Sequence, residues 1–413
     1  MFSANNPSKP TASGLAAAVL LAVALIAAHP ASAQTETVLY TFHGQQDGRN
    51  PLAGLSMDSS GNLYGTTSIG VNGESGLVFE LSPSGQQTVL LDLSGNGGGQ
   101  PFGGVVRDAQ GNLYGTTENG GRHISGTLFE VTAPNVAKTL HLFRTGPPSF
   151  KREVSAKDGT YPAAGPVMDA AGNLYGTTQY GGQFGCGTVY KQHGNTYSIL
   201  YNFDNTHGCW PLASLILDAQ GNLYGTTSGG GDHRVGTVFK VSPDGTPTLL
   251  YSFTGSNGDG YGPASSLVRD AQGNLYGTTV NGGSGYGTVF KVTPGGAETV
   301  LYTFKGGLGG PDGVNPVGGL VMDSQGNLFG TTEFGGAHPE NCGGTLGCGT
   351  IFKIAPNGTE TVLYRFTGKT DGAFPVANLL LDAQGNLYGT TEFGGDSSCN
   401  GGGGCGVVFR LTP

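Results

Sequence analysis

The hydrophobic residues of this chain fall into short runs that are separated by glycine, proline, asparagine and aspartate. In one representative unit, four such runs follow one another: 213–218, 223–227, 236–241 and 248–253. Each run is rich in β-branched and aromatic residues and is bounded by turn formers, which is typical of a β-strand. The pattern therefore predicts four strands per unit, which we name A, B, C and D in chain order.

Strand B belongs to a motif, Gly-Asn-Leu-Tyr-Gly-Thr-Thr, that occurs seven times at steps of 49 to 61 residues. Phe329 replaces the tyrosine of the sixth copy, and the copies begin at Gly61, Gly111, Gly172, Gly221, Gly273, Gly326 and Gly385. Four short antiparallel strands repeated at this period are the sequence form of a β-propeller. The chain is therefore predicted to be an all-β, seven-bladed β-propeller with four antiparallel strands per blade.

The two ends of the repeat array predict how the ring closes. Residues 37–42 read as a D strand with no A, B or C before it. The last repeat has strands A (377–382), B (386–391) and C (406–411), and it lacks D. Pairing the two ends would cover the open strand edges. We expect the N-terminal strand to complete the last blade.

The segment Asp-x-x-Gly-Asn connects strands A and B in every repeat of this sequence, as at 218–222. An aspartate can accept hydrogen bonds from amides two or more residues on, and glycine supplies a positive φ. We favour this turn-capping role for the seven aspartates over a role in metal or ligand binding.

The N-terminal segment has the features of a secretory signal peptide. Lys9 precedes an apolar run at 15–28, and Ala31-Ser32-Ala33 offers a small-x-small cleavage site. The run is too short to span a bilayer comfortably, and no second long apolar run follows. We expect a signal peptide at 1–33 that is cleaved after Ala33. The single propeller domain then covers 34–413 and is secreted, extracellular or periplasmic, with no integral membrane segment.

The net charge is −9, which argues against nucleic acid and anionic membranes as partners. All six cysteines follow the predicted signal peptide, and an even number in a secreted chain indicates disulfides. Five residues separate the cysteines of two local pairs, whereas zinc motifs prefer two to four. The predicted bridges are Cys342–Cys348, Cys399–Cys405 and Cys186–Cys209. A monomer is expected.

The repeated segments Gly-Asn-Leu-Tyr-Gly-Thr-Thr, Gly-Thr-Val-Phe-Lys and Thr-Val-Leu-Tyr-x-Phe resemble the GloVer tandem repeat of bacterial secreted choice-of-anchor proteins. The resemblance covers 37–411 and implies an exported protein, without established activity or catalytic residues. Members often carry a C-terminal anchoring signal, which this sequence does not show, so release is expected rather than surface attachment. Asp-x-x-Gly-Asn-Leu-Tyr is also similar to hairpins of NHL-type and virginiamycin-lyase-like propellers.

The B–C and D–A loops are expected on one face, here called the loop face, and they vary in length and content. Variable loops on a rigid scaffold are where binding usually occurs. A long D–A loop at 144–158 is the one basic patch. Carboxylates and aromatics that follow Thr-Thr could line a sugar-binding rim, or could simply pack against the neighbouring blade. The candidate ligand residues on this face are Glu118, Tyr180, Glu333, Phe334, Glu392, Phe393 and Arg152.

Aspartates of the D–A loops offer a weaker candidate for a calcium site, because Ca²⁺ prefers oxygen ligands. They stand in Asp-Gly pairs, which are also common turns. We therefore expect that the protein has no cofactor, and calcium is the alternative. The weak calcium candidates are Asp47, Asp259, Asp312 and Asp371.

Signals for an enzyme are few. The A strands begin with small residues such as Ala213-Ser214, and neither Gly-x-Ser-x-Gly nor His-Glu-x-x-His occurs. The sequence therefore favours a secreted, non-catalytic binding or scaffold protein, with an extracellular glycan or protein as ligand. The alternatives are an extracellular lyase or hydrolase acting on a carbohydrate or lactone with metal assistance, and a rigid envelope component.

Overall fold

The computed structural model describes Met1 and residues 34–412, except for 45, 71–72, 74, 97, 122–124, 134, 145–156, 257, 307–309, 337–338 and 343–346. Residues Gln34–Pro413 form one compact unit. The predicted signal peptide and Arg152 both lie outside the described residues.

Seven four-stranded antiparallel sheets, the blades, follow one another along the chain, each in the order A-B-C-D. Blade 1 comprises Ser56–Met57, Leu63–Thr67, Leu77–Leu81 and Gln87–Asp92. Blade 2 comprises Val106–Arg107, Leu113–Thr117, Thr127–Thr132 and Val136–Leu142. Blade 3 comprises Val167–Met168, Leu174–Thr178, Thr188–His193 and Thr196–Asn202. Blade 4 comprises Ile216–Leu217, Leu223–Thr227, Thr237–Val241 and Pro247–Ser252.

The remaining blades repeat this arrangement. Blade 5 comprises Val268–Arg269, Leu275–Thr279, Thr288–Val292 and Glu298–Thr303. Blade 6 comprises Val321–Met322, Leu328–Thr332, Thr350–Ile354 and Glu360–Arg365. Blade 7 comprises Leu380–Leu381, Leu387–Thr391, Val407–Thr412 and the N-terminal strand Thr35–Thr41. Outside the blades, the described loops contain a small ribbon and three 3₁₀ turns: Gly260–Tyr261 with Asn281–Gly282, Leu93–Asn96, Pro339–Asn341 and Asn400–Gly402.

The N-terminal strand is the outermost strand of blade 7. It pairs antiparallel with strand C, so that Thr35 lies opposite Thr412 and Thr41 lies opposite Val407. The predicted seven-bladed propeller and its closure by the N-terminal strand are thus confirmed. Closure leaves strand C of the last blade with a partner on each side, which removes an unpaired edge.

The A–B turns are built as the sequence predicts. In blade 4, Asp218 Oδ1 accepts hydrogen bonds from the backbone amides of Gln220 (3.0 Å) and Asn222 (2.8 Å). The other carboxylate oxygen accepts one from the Tyr224 hydroxyl at 2.9 Å, which ties the turn to strand B. The turn glycine Gly221 has φ of +83°, a value that favours glycine. The predicted turn-capping role is therefore confirmed.

Aromatic residues join neighbouring blades. Phe203, just after strand D of blade 3, meets Phe239 in strand C of blade 4 edge to face, with 4.9 Å between ring centres. Both rings are buried, and burial of one phenylalanine contributes about 2 kcal/mol. Gly225 of the B-strand motif lies opposite Phe239, and a Cβ there would lie 2.7 Å from the ring carbon Cζ. The glycine of the repeated motif is therefore required by the aromatic core.

The loop face has its own contact between blades. Pro263, in the D–A loop that enters blade 5, packs on Gly236, which precedes strand C of blade 4. A Cβ on Gly236 would lie 2.5 Å from the proline Cδ. The same contact recurs between Pro211 and Gly187, where the distance would be 3.0 Å. This contact holds the residue that precedes each proline at a defined place on the loop face.

Candidate functional site

A ring of seven equivalent residues stands on the loop face, each immediately before one of these prolines. Two backbone hydrogen bonds, one donated and one accepted, hold six of these seven residues. The Trp210 amide donates to the Cys186 carbonyl at 3.0 Å, and the Trp210 carbonyl accepts from the Ser228 amide at 3.1 Å. The seven residues are Asn50, Gln100, Tyr161, Trp210, Gly262, Asn315 and Phe374.

The backbone at six of these seven positions is left-handed, with φ between 55° and 65° for the described residues. Glycine and asparagine tolerate this conformation, as at Gly262 and Asn315. Tyr161, Trp210 and Phe374 are bulky exceptions, with φ of 57°, 62° and 56°. Holding a residue in such a region costs about 1–3 kcal/mol, and such strain is concentrated at functional sites.

Two of the strained aromatic residues face a cavity of about 500 Å³ between blades 3 and 4, here called the Trp210 pocket. Tyr161 and Tyr180 meet edge to face at 5.9 Å and form one wall. Trp210 is 43% exposed. The full lining consists of Tyr161, Gln179, Tyr180, Gly185, Cys186, Cys209, Trp210 and Ser228.

The indole ring lies against a glycine. A Cβ on Gly229 would be 2.7 Å from Cε3 of Trp210 and 2.9 Å from Cζ3. At the equivalent place in the other six blades the chain carries a side chain: Ile69, Asn119, Tyr180, Asn281, Phe334 and Phe393. The space that the Trp210 indole occupies therefore depends on Gly229, because only blade 4 has glycine at this position of the sequence repeat.

All three predicted disulfides are confirmed: Cys186–Cys209, Cys342–Cys348 and Cys399–Cys405. The bridge at Cys186–Cys209 joins the B–C loop of blade 3 to the D–A loop that carries Trp210. It therefore links the two sides of the Trp210 pocket covalently.

A second aromatic group lies between blades 6 and 7. Phe374 contacts Phe334 at 5.3 Å and Phe393 at 5.8 Å, both edge to face. Phe374 and Phe393 also pack against the buried core of these blades. Four predicted residues thus come together here, because Glu333 and Glu392 directly precede Phe334 and Phe393.

The carboxyl groups beside this group are partly buried. Burial raises the pKa of Glu333, and the nearby Glu392 carboxylate raises it further, while a hydrogen bond from Asn315 opposes the shift. Burial also raises the pKa of Glu392, opposed by Asn50. The remaining predicted carboxylate, Glu118, lies in blade 2, where burial raises its pKa. The predicted rim residues are therefore divided between separate blades.

The aspartates considered for calcium hold their own loops. The Asp371 carboxylate accepts hydrogen bonds from the Tyr364 hydroxyl at 2.9 Å and the Thr367 amide at 2.8 Å. Among the residues that the structure describes, no group of three or more histidine, cysteine, aspartate or glutamate side chains could hold a metal. Each of the other three candidate aspartates also accepts a hydrogen bond from a tyrosine hydroxyl of the adjoining strand D. The distances are 2.9 Å for Asp47, 3.1 Å for Asp259 and 2.7 Å for Asp312.

The propeller axis is narrow and uncharged. Small or apolar residues such as Leu52, Ala163 and Val376 line an axial cavity of about 130 Å³. Asn378 and two serines are the only residues with polar side chains among the described residues that line it. This lining offers hydrogen-bonding groups but no ionisable side chain for acid–base chemistry.

Sequence reasoning missed Tyr161, Trp210 and Phe374. The available signal was their shared position directly before the proline that precedes strand A, where the other repeats have asparagine, glutamine or glycine. Their left-handed backbone became apparent only in three dimensions.

Comparison with solved structures shows the same fold in distant proteins. Virginiamycin B lyase from Staphylococcus aureus is 12% identical, with a TM-score of 0.55 over 92% of this chain and 99% of the lyase. The extracellular domain of a protein from B. thetaiotaomicron described as a hybrid two component system is 12% identical, with a TM-score of 0.56. That match covers 91% of this chain and 39% of the other. At such identity, the likeness concerns the fold alone.

No curated protein matches this sequence. No helix in the described ranges is both long and apolar enough to cross a membrane. The three disulfides are typical of proteins that reside in oxidising compartments. The family model of the Gloeobacter/Verrucomicrobia repeat matches residues 24–153, 146–285 and 284–413. Because these matches together cover nearly the whole chain, the protein belongs to the Gloeobacter/Verrucomicrobia repeat family.

Proposed function

We propose that this protein is a secreted, non-catalytic β-propeller that binds an extracellular glycan through its loop face. The observation that carries the proposal is the aromatic character of strained positions in the ring before the prolines. Asn50 and Asn315 take the same left-handed backbone without a bulky side chain. The fold therefore has no need for the largely exposed Trp210 there, and binding accounts for the cost of keeping it.

Aromatic rings suit carbohydrate as a ligand. A sugar ring has an apolar C–H face that can stack on an aromatic ring and a rim of hydroxyl groups that need polar partners. Tyrosine and tryptophan supply both an apolar face and a polar tip, and a few polar groups among aromatic residues are typical of small-ligand sites. The acidic net charge of −9 disfavours nucleic acid.

The proposal of a non-catalytic role is supported by the axial cavity, whose described lining has no ionisable side chain. The proposal of secretion is supported by three disulfides, which persist in oxidising compartments. The predicted signal peptide, which ends at Ala33, also supports the proposal of secretion.

The test is to replace Tyr161, Trp210 and Phe374 one at a time by asparagine, the residue that the chain uses at two equivalent positions. Binding to a panel of soluble polysaccharides is measured by affinity electrophoresis, and the melting temperature is measured alongside. Loss of one anchoring aromatic residue should weaken binding by about 2 kcal/mol, or roughly thirtyfold. Stability should be kept or improved in the Trp210 variant, because asparagine tolerates the left-handed backbone. The Phe374 variant also loses packing against the core, so its melting temperature should fall.

The matched control is Tyr261→Asn, which removes a 39% exposed tyrosine of the same face that does not line the Trp210 pocket. It should leave binding unchanged. Failure of the unaltered protein to bind any polysaccharide, or full binding by all three variants, would refute the proposal.

A further inference from the structure

We infer that the Trp210 pocket is the subsite that holds one uncharged pyranose unit, stacked on the indole of Trp210. This inference rests on the proposed glycan binding and assigns it to one place and one class of sugar. The cavity of about 500 Å³ falls within the ~300–1,000 Å³ that is usual for small-ligand sites.

The indole is presented to the pocket by its surroundings. Its Cε3 and Cζ3 atoms lie close to Gly229, so the backbone of blade 4 supports the ring on that side. Even with this support, 43% of Trp210 remains exposed. Tyr161 and Tyr180 line the same cavity. A flat ring with an apolar face can therefore stack on the exposed face of the indole within this cavity.

The lining selects against charge. The described residues around the cavity are aromatic, small or uncharged, and they include the Gln179 amide and the Ser228 hydroxyl. The Ser228 hydroxyl donates to the Trp210 carbonyl at 3.0 Å, which leaves its oxygen lone pairs available to accept from a sugar hydroxyl. A uronate or ammonium group would lose hydration there without a charged partner. A neutral pyranose meets no such cost.

The pocket walls are held in place before any ligand arrives. The Cys186–Cys209 disulfide joins the two loops, and the Trp210 amide donates to the Cys186 carbonyl at 3.0 Å. The backbone amide of Gln179 donates to the Tyr161 carbonyl at 3.0 Å, which fixes two further lining residues. Preorganised walls reduce the ordering cost of binding. A single sugar unit can therefore be recognised with few contacts.

Proline-rich peptides also dock on aromatic surfaces, but they need an extended groove that follows several residues of a polyproline helix. The described lining of this cavity comes from residues 161, 179–180, 185–186, 209–210 and 228, in the loops of two adjacent blades. The compact shape therefore favours a sugar over a peptide, and a peptide serves as one arm of the test.

Trp210 is the only tryptophan of the chain, so fluorescence that is excited selectively from tryptophan, and not from the 17 tyrosines, reports on this pocket. The mature protein is titrated with the methyl pyranosides of glucose, galactose and mannose, with methyl glucuronide, and with a proline-rich peptide. We expect a saturable fluorescence change with at least one neutral pyranoside and none with the glucuronide or the peptide.

Two variants locate the site. Gly229→Ala keeps every lining side chain but displaces the indole, and it should weaken the neutral sugar at least tenfold. Trp210→Asn should weaken binding of the parent polysaccharide by a similar factor, as measured by affinity electrophoresis. Tyr261→Asn is the control and should match the unaltered protein, while melting temperatures show that each variant is folded.

The outcomes separate the two proposals. If polysaccharide binds but no neutral pyranoside changes the fluorescence, and Trp210→Asn binds normally, then the subsite is wrong and the proposed function stands. A response to glucuronide or peptide in place of neutral sugar also overturns the inference. If no polysaccharide binds at all, both proposals fail.

Discussion

Three glutamates at equivalent blade interfaces should make the stability of this propeller fall as the pH rises through neutrality. Each stands at or near the start of a D strand, and each is close to the Asp-Gly aspartate of the preceding loop. One side-chain oxygen, Oε1, of each glutamate is buried without a hydrogen-bond partner. The three pairs are Glu36 with Asp371, Glu298 with Asp259, and Glu360 with Asp312.

The direction follows from the pKa shifts. Burial, and then the charge of the neighbouring aspartate, raises the pKa of each of the three glutamates from 4.5 to about 7. The nearby Tyr364 hydroxyl opposes the shift at Glu36, and Arg365 and Lys305 oppose it at Glu360. Because the folded pKa is raised, the stabilisation is complete below pH 4.5 and is lost as the pH rises through about 7.

The magnitude is moderate. A shift of this size corresponds to roughly 3 kcal/mol for a fully buried group. The side chains are only partly buried, so solvent screening reduces this to about 1 kcal/mol each, or roughly 3 kcal/mol in all. For the unit Gln34–Pro413, the unfolding entropy is about 0.8 kcal/mol/K. The melting temperature should therefore fall by about 4 °C between pH 5 and pH 8.5.

The assay is differential scanning fluorimetry at constant ionic strength across this range. The comparison is the triple variant Glu36→Gln, Glu298→Gln and Glu360→Gln. Gln87 occupies the equivalent position of blade 1, with its amide 3.5 Å from the Asp47 carbonyl, so glutamine fits there. Subtracting the two profiles also removes the contribution of loop-face glutamates. Equal falls in both proteins, or a flat profile for the unaltered protein, would refute the reasoning.

Two further predictions concern the fold. Gly225→Ala should cost about 1–3 kcal/mol by overpacking, because the new Cβ would lie 2.7 Å from Phe239 Cζ; denaturant unfolding measures this, and Gly295→Ala, whose nearest neighbour would be 3.9 Å away, should be neutral. Equal stability of both variants would contradict the packing argument. Deleting Thr35–Thr41 should destabilise the ring by on the order of 5 kcal/mol and expose strand C of blade 7 to association. Calorimetry and light scattering check this, the strand added as a peptide should restore stability, and an unchanged, monomeric deletion variant would disprove it.

Much of the architecture could be predicted from the sequence because it depends on local rules. The Asp218 turn works through atoms within six residues, and the missing D strand of the last repeat is visible as a gap in a period. The cysteine pairs followed once their loops were placed on one face. These features need only strand periodicity, turn chemistry and the requirement that a ring has no open edge.

The candidate site was decided by contacts between blades. The left-handed backbone of Trp210 is set by hydrogen bonds to Cys186 and Ser228, which belong to different blades, and the place for its indole depends on Gly229. Glu36 and Asp371 meet only because the ring closes. Periodicity along the chain determines which strands form, whereas the space and charge around a side chain depend on the neighbouring blade that packs against it.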